Sequence, residues 1–403
     1  MESKIRLAYL LTHPVQYQAP LLRLIAAEPG IDLTVFFCSD FSLEKFYDPE
    51  FAKEIEWDVP LVAGYRYEVL PAIGGGKQIT FWRPFNYGLS RRLREGSFDV
   101  LWVHGYARWF SWVGILVAKA QGIKVLIRDD ATLISLSRTL IKRAFKKVFF
   151  LILKIFCDGF LAVGSLNRDY YGYYGIKDDN IFLVPWAVDN AFFQAKAQEA
   201  SAPLEELRNS LGLEKGRPII LFAGKLSERK RAGDLLEAYI QLSPDRKTEP
   251  LPYLLFIGEG DQRQALENRA GDTGWDSIKF LGFKNQTELP AYFKLCQVFV
   301  LPSVHEPWGL VINEVMNAGR AVIVSDQVGC GPDLVRHGEN GFIFQAGNTT
   351  SLAEAIHKVL ENQEKCRLMG QQSLKIIKKW GFEQDIQGLK KALVSVISET
   401  LIM

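Results

Sequence analysis

Short, largely apolar runs recur along this chain at intervals too wide for hairpins, and that spacing restricts the architecture more than any single motif does. In the first half they fall at 7–11, 33–38, 100–103, 125–127, 160–163 and 182–184. Most are separated by stretches long enough for a crossover helix, the sequence sign of parallel βα units. After Pro185-Trp-Ala-Val-Asp189 the pattern lapses into 194–210, rich in Ala, Glu and Gln, which reads as one or two linking helices. It then restarts, with runs at 219–223, 254–257, 279–281, 298–301 and 321–324 and helical stretches at 234–242, 262–269 and 352–361. A chain of 403 residues exceeds what one core usually spans. The expected fold is α/β: two Rossmann-like doubly wound domains facing across a cleft, over 1–190 and 191–378, with a helical tail at 379–403.

Forty-eight basic and 46 acidic residues leave a net charge of +2, which argues against a dedicated nucleic-acid binder. The five cysteines (Cys38, Cys157, Cys296, Cys330 and Cys366) are scattered and mostly beside apolar residues. They read as reduced core thiols, hence a cytoplasmic protein. The start, Met1-Glu-Ser-Lys-Ile-Arg, does not read as a signal peptide. No apolar stretch reaches the ~20 residues needed to span a bilayer. The chain is expected free in the cytoplasm or peripheral on the inner face of the membrane.

One stretch concentrates chemistry: Val298-Phe-Val-Leu-Pro-Ser-Val-His-Glu-Pro-Trp-Gly-Leu-Val-Ile-Asn-Glu314. Its apolar start fits a buried parallel strand, Pro302 ends the ladder, and Gly309 opens a helix reaching about Ala318, with Gly319 as stop. The amides of Gly309, Leu310 and Val311 would then point into the crevice above the strand. A helix N-terminus there favours phosphate through unpaired donors and the macrodipole. Glu314, one turn after Leu310, can accept hydrogen bonds from ribose hydroxyls, and Glu306 lies on the other side of the phosphate, where a second polyhydroxylated group fits. The arrangement suggests a nucleotide sugar. Two glutamates at this spacing are commonplace, and one in a first helical turn often only offsets the dipole.

The turn Ala223-Gly-Lys-Leu-Ser-Glu-Arg-Lys-Arg231 follows another strand. Gly224 would let backbone approach a ligand, and Lys225 and Lys230 would face the same crevice as Gly309. Gly258 and Gly260, in Phe256-Ile-Gly-Glu-Gly-Asp261, permit close approach of backbone or make an ordinary strand-to-helix turn. His104 ends the run Asp99-Val-Leu-Trp-Val-His104, where a lone histidine is more often structural.

Glu306 to Glu314 resembles the signature, Glu, seven residues, Glu, of the retaining glycosyltransferases of family four (glycosyl transferases group 1), which have two facing Rossmann-like domains, the GT-B arrangement. Gly224 with Lys225 and a further lysine five positions on, Lys230, resembles that family's second motif. The resemblance covers nearly the whole chain. It implies a retaining glycosyltransferase that needs no metal ion or resident cofactor and uses a UDP- or GDP-linked sugar as donor. The second domain would hold the donor and the first a sugar or lipid-linked sugar acceptor, in glycan, polysaccharide or glycolipid synthesis. Lys225 and Lys230 would neutralise the departing diphosphate, Glu306 would orient the donor sugar, and Glu314 would clasp the ribose. Gly258, Gly260, Phe283 and Lys284 would lie near the base and His104 near the reacting sugar. The terminal helix would cross back onto the first domain.

His13, in Leu11-Thr-His-Pro-Val-Gln-Tyr17, stands where many relatives have a glycine-rich loop. Arg128-Asp129-Asp130 ends a strand and is a weaker candidate for facing the acceptor. Between Ala131 and Cys157 there is no acid, and Arg138, Lys142, Arg143, Lys146, Lys147 and Lys154 interleave with apolar residues. Residues 138–154 read as a peripheral membrane contact or, in the slightly favoured reading, as a crossover helix with one buried and one solvated face. Rival functions are a nucleotide-sugar epimerase of the same architecture and a non-catalytic sugar-nucleotide sensor. A nicotinamide-dependent dehydrogenase is disfavoured because Thr12-His-Pro-Val-Gln lacks the Gly-x-Gly-x-x-Gly loop.

Overall fold

The structure is a computed structural model that describes residues 4–74, 79–134, 140–200, 203–242 and 251–398. It divides into two compact units: residues 1–46, 59–187 and 382–403 make the first, and 47–58 with 188–381 make the second. The sequence pattern carries no sign that residues 47–58 belong with the second unit.

In chain order the strands up to the middle are β1 (Ile5–Leu11), β2 (Ile31–Phe37), β3 (Phe46–Asp48), β4 (Lys53–Ile55), β5 (Arg66–Val69), β6 (Ala72–Ile73), β7 (Phe85–Asn86), β8 (Val100–His104), β9 (Lys124–Asp129), β10 (Gly159–Ala162) and β11 (Ile181–Leu183). The first unit is built on a parallel sheet in the order β11-β10-β9-β8-β1-β2-β5. Strand order reverses between β1 and β8, and in open parallel sheets the crevice outside the carboxyl ends at such a reversal is the usual ligand site. Alternate residues feed two cores. Ala8, Leu10, Leu101 and Val103 join Phe110, Phe150 and Leu153 on one face, while Leu7, Tyr9 and Trp102 join Leu22, Ile25, Leu389 and Leu393 on the other.

The last two belong to the terminal helix Phe382–Ser398, which packs on β9, β10 and β11. It approaches so closely that a Cβ at Gly388 would sit 1.9 Å from the Leu183 carbonyl oxygen. Asp385 on this helix pairs at 3.0 Å with Arg128 of β9, and both side chains are buried. Arg128 also donates to the Val184 and Pro185 carbonyls and lies 4.3 Å from the Trp186 ring centre.

The second unit carries β12 (Ile219–Ala223), β13 (Tyr253–Ile257), β14 (Ile278–Phe280), β15 (Val298–Leu301), β16 (Ala321–Ser325) and β17 (Gly341–Phe344). They pair in parallel in the order β14-β13-β12-β15-β16-β17, so the reversal falls between β12 and β15. Every residue of β12, β13, β15 and β16 is buried, as a sheet covered on both faces requires. The five cysteines are all buried and unbridged.

Candidate functional site

The two loops that leave the strand-order reversal of the second unit carry Gly224, Lys225, Lys230, Glu306 and Gly309. Gly224 to Arg231 leaves β12, and Pro302 to Gly309 leaves β15. They are tied together: the Val304 amide donates to the Arg229 carbonyl at 3.0 Å, and the Arg229 guanidinium donates to the His305 carbonyl at 3.1 Å. Lys230 Nζ pairs directly with Glu306 Oε2, and Arg229 stands 3.7 Å from the same oxygen. Arg231 turns away and is spent on Asp234, which it grips with two hydrogen bonds of 2.7 and 2.9 Å.

Gly309 caps the helix Leu310–Asn317 at φ +97°, a left-handed conformation that disfavours any side chain. No side chain caps this end, and among the described residues no acceptor pairs with the amides of Gly309, Leu310 or Val311. The loop before it is held from behind: the Gly329 amide donates to the Glu306 carbonyl and the Cys330 amide to the Trp308 carbonyl, each at 2.9 Å. Trp308 is buried, stacked at 5.5 Å on Trp380, with its indole N–H given to Asn313. It therefore faces the interior. Glu314 is half-buried, no donor among the described residues reaches its carboxylate, and burial raises its pKa to about 8.

The glycines after β13 answer to a neighbouring turn. A Cβ on Gly258 would lie 1.9 Å from the Gly224 carbonyl oxygen, and one on Gly260 would lie 2.3 Å from that of Leu226. Backbone hydrogen bonds from Gly224 to Ile257 and from Leu226 to Glu259 seal this contact. What demands glycine at 258 and 260 is thus the 224–226 turn. Over Gly224 itself nothing lies closer than 3.7 Å to the added Cβ. Phe283 follows β14 and meets Phe51 edge to face at 5.3 Å, while Lys284 pairs with Glu288 at 3.4 Å.

Lys225 is not bare. Its ammonium lies 3.2 Å from Asp48 and 2.7 Å from Glu50, residues of the 47–58 segment that sequence reasoning left unassigned. Two carboxylates in a stretch without apolar periodicity gave no signal of that role.

In the first unit, His104 ends β8 beside β1. Its Nδ1 is 2.8 Å from the Tyr9 hydroxyl and 3.5 Å from Gln18 Nε2, an amide nitrogen that can only donate. Nδ1 is therefore the acceptor, which leaves the proton on Nε2. Burial, then the charges of Arg128 and His13, lowers the His104 pKa to about 3, so the ring is neutral at physiological pH. Burial, then Arg108, lowers His13 to about 4, and its ring packs on Phe41 at 4.5 Å. Arg128 and Asp129, expected toward an acceptor, point inward instead. Arg128 is committed to Asp385, and Asp129 accepts from the Ala131 amide and Asn167.

The basic segment forms the helix Leu140–Phe156, and Arg138 lies outside the described residues. Phe150 and Leu153 enter the core, as a crossover helix requires. The opposite face is not simply solvated charge. Ile141, Phe145, Val148, Ile152 and Ile155 are all exposed there, Phe145 to 74%. Lys146 folds over the Tyr106 and Phe149 rings at 4.2 and 4.5 Å and Lys147 lies 5.7 Å from the Tyr173 ring centre, while Lys142, Lys147 and Lys154 are exposed on the same helix. No described helix is long and apolar enough to cross a membrane.

Comparison with known proteins agrees with this architecture. The chain is 29% identical over 213 residues to an uncharacterized glycosyltransferase of Methanocaldococcus jannaschii, covering 51% of each. It is 30% identical over 172 residues to the alpha-D-kanosaminyltransferase of Streptomyces kanamyceticus, covering 42% of this chain and 43% of that one. The chain thus spans about half the length of the curated relatives it matches. Among solved structures, Anabaena HepE in complex with UDP and glucose is similar with a TM-score of 0.71 at 17% identity, covering 97% of this chain and 100% of that one. Sucrose-phosphate synthase of Thermosynechococcus elongatus is similar with a TM-score of 0.72 at 18% identity, covering 98% and 100%. At such identities the likeness establishes the fold, that of the GT-B glycosyltransferases with their two Rossmann-like domains. Residues 204–375, which lie wholly in the second unit, match the model of the family Glycosyl transferases group 1.

Proposed function

We propose that the chain is a retaining glycosyltransferase that moves a sugar from a UDP- or GDP-linked donor, bound by the second unit, to an acceptor hydroxyl. The observation that carries this reading is the Lys230–Glu306 pair beside the uncapped amides of Gly309, Leu310 and Val311, all at the reversal between β12 and β15. Amides with no acceptor at a helix start, with lysines alongside, suit a diphosphate. Glu306 and Glu314 flank that position and suit the hydroxyls of the donor sugar and the ribose. HepE, whose structure holds UDP and glucose, has the same fold and supports a nucleotide-sugar donor.

In the step proposed, the bond from the anomeric carbon to the diphosphate oxygen breaks and the acceptor hydroxyl attacks from the same face. The hydroxyl proton passes to the departing phosphate oxygen. Lys225, Lys230 and the helix amides stabilise the growing diphosphate charge without a metal ion, and one such donor is typically worth ~3 kcal/mol. His104 offers a neutral N–H to a sugar hydroxyl at the first unit's own strand reversal.

The acceptor class we favour is a lipid-linked sugar at the inner face of a membrane, in glycan or polysaccharide synthesis. An outward apolar stripe flanked by cations, as on the helix Leu140–Phe156, suits an anionic lipid surface.

The test is a thermal-shift panel of UDP, GDP and their sugars, followed by product analysis with sugar and lipid-linked acceptors. One nucleotide series should raise the melting temperature, and its sugar should appear on the acceptor with anomeric configuration kept. Inverted products, or conversion of the sugar nucleotide without any acceptor, would overturn the reading.

A further inference from the structure

We propose that the ribbon of β3 and β4 is a strap over the donor site, with Asp48 and Glu50 holding the Lys225 ammonium in place of the donor's diphosphate until the donor displaces them. The proposal rests on the donor site described above and adds its regulation.

The strap is seated on the second unit at two places. At the phosphate end, Lys225 Nζ lies 3.2 Å from Asp48 Oδ2, 2.7 Å from Glu50 Oε2 and 4.8 Å from the Phe51 ring centre, while Arg229 stands 3.9 Å from Glu50. At the base end, Phe51 meets the Phe283 ring edge to face and Lys53 lies 5.6 Å from that ring centre. Beyond β4 the chain is fastened to the loop after β14: Asn285 Nδ2 donates to the Glu56 carbonyl at 2.7 Å and the Thr287 amide to Asp58 at 3.1 Å. One short segment thus covers Lys225 and Phe283, residues from two separate loops of the same proposed site.

The chemistry makes strap and donor exclusive on Lys225. Two carboxylates and an aromatic face surround the ammonium, and a diphosphate at contact distance would meet both negative charges. Exchange can start at Glu50, the weaker of the two contacts, since the Asp48 side chain is only 17% exposed. The Glu50 side chain is 56% exposed, and exposed ion pairs hold weakly. A diphosphate has Lys230 and the Gly309–Val311 amides to gain as well. Apparent donor affinity is then reduced by the fraction of molecules with the strap down.

The experiment is hydrogen–deuterium exchange on the full chain with and without UDP or GDP, whichever binds, together with nucleotide affinity of the double variant Asp48→Asn, Glu50→Gln. We expect faster exchange over 46–55 and slower exchange over 309–312 when nucleotide is added. The double variant should bind a few-fold to about tenfold more tightly. Removing two negative charges would tighten binding even without movement, so the exchange result decides. Unchanged or slower exchange over 46–55 in a nucleotide-bound protein overturns the strap, as does unchanged or weaker binding by the variant. Absence of any nucleotide binding, with no protection at 309–312, would instead count against the donor site itself.

Discussion

Lys230 and Glu306 form a direct ion pair although 76 positions separate them. Both leave the carboxyl ends of adjacent strands, β12 and β15, whose register sets Ile220 against Val298 and Leu221 against Phe299. The sheet topology, not local sequence, brings a cation and a carboxylate to the foot of an uncapped helix.

Replacing either partner should therefore impair turnover far more than folding. Glu306→Ala and Lys230→Ala are each expected to cut transfer at least about a hundredfold, the scale of losing one preorganised charge contact. The melting temperature of Lys230→Ala should stay within a few degrees of the wild type, since Arg229 remains near Glu306. Near-normal transfer by both variants would refute their assignment.

Glu314 gives a pH dependence with a definite sign. Burial raises its carboxyl to about 8, while hydrogen bonds from ribose hydroxyls would favour the ionised form. Donor affinity should strengthen as pH rises toward about 8 and level off above it. Because Glu314 is half-buried, the midpoint lies at or below that value. Titration calorimetry across this range should show the trend in the wild type and not in Glu314→Gln; the same trend in both would assign it elsewhere.

The apolar stripe of the helix Leu140–Phe156 should carry the protein onto vesicles containing phosphatidylglycerol and not onto pure phosphatidylcholine. Phe145→Glu with Ile152→Glu should weaken this binding at least about a hundredfold, since burying each such side chain contributes ~1.5–3 kcal/mol. Sedimentation measures it. Concentration-dependent dimers without lipid would identify a second copy as the partner instead.

Gly388→Ala should lower the stability of the first unit by about 1–3 kcal/mol, because the added Cβ meets a backbone carbonyl that cannot swing aside. Thermal unfolding tests this, and an unchanged transition would show that the terminal helix slides to make room.

Parallel βα units were legible because β1, β8, β12 and β15 are apolar runs that need no tertiary context to be seen. β5 was not, since it is only four residues long, lies on a sheet edge and leaves all four residues exposed. β17 was hidden by Gly341, which looks like a turn residue but is needed because a Cβ would lie 1.7 Å from the Val322 carbonyl oxygen. The glycines at 258 and 260 advertised close approach without saying to what. Glu306, Gly309 and the lysines stood out through spacing and resemblance. The carboxylates Asp48 and Glu50 did not, because their partner Lys225 lies more than 170 positions away.

The most direct test is a crystal structure of the full chain with UDP or GDP bound. Phosphate oxygens should lie about 2.7–3.2 Å from the Leu310 or Val311 amide nitrogen, with Lys230 or Lys225 on the same diphosphate. A nucleotide bound with its phosphates away from that helix start, and both lysines turned elsewhere, would contradict the account.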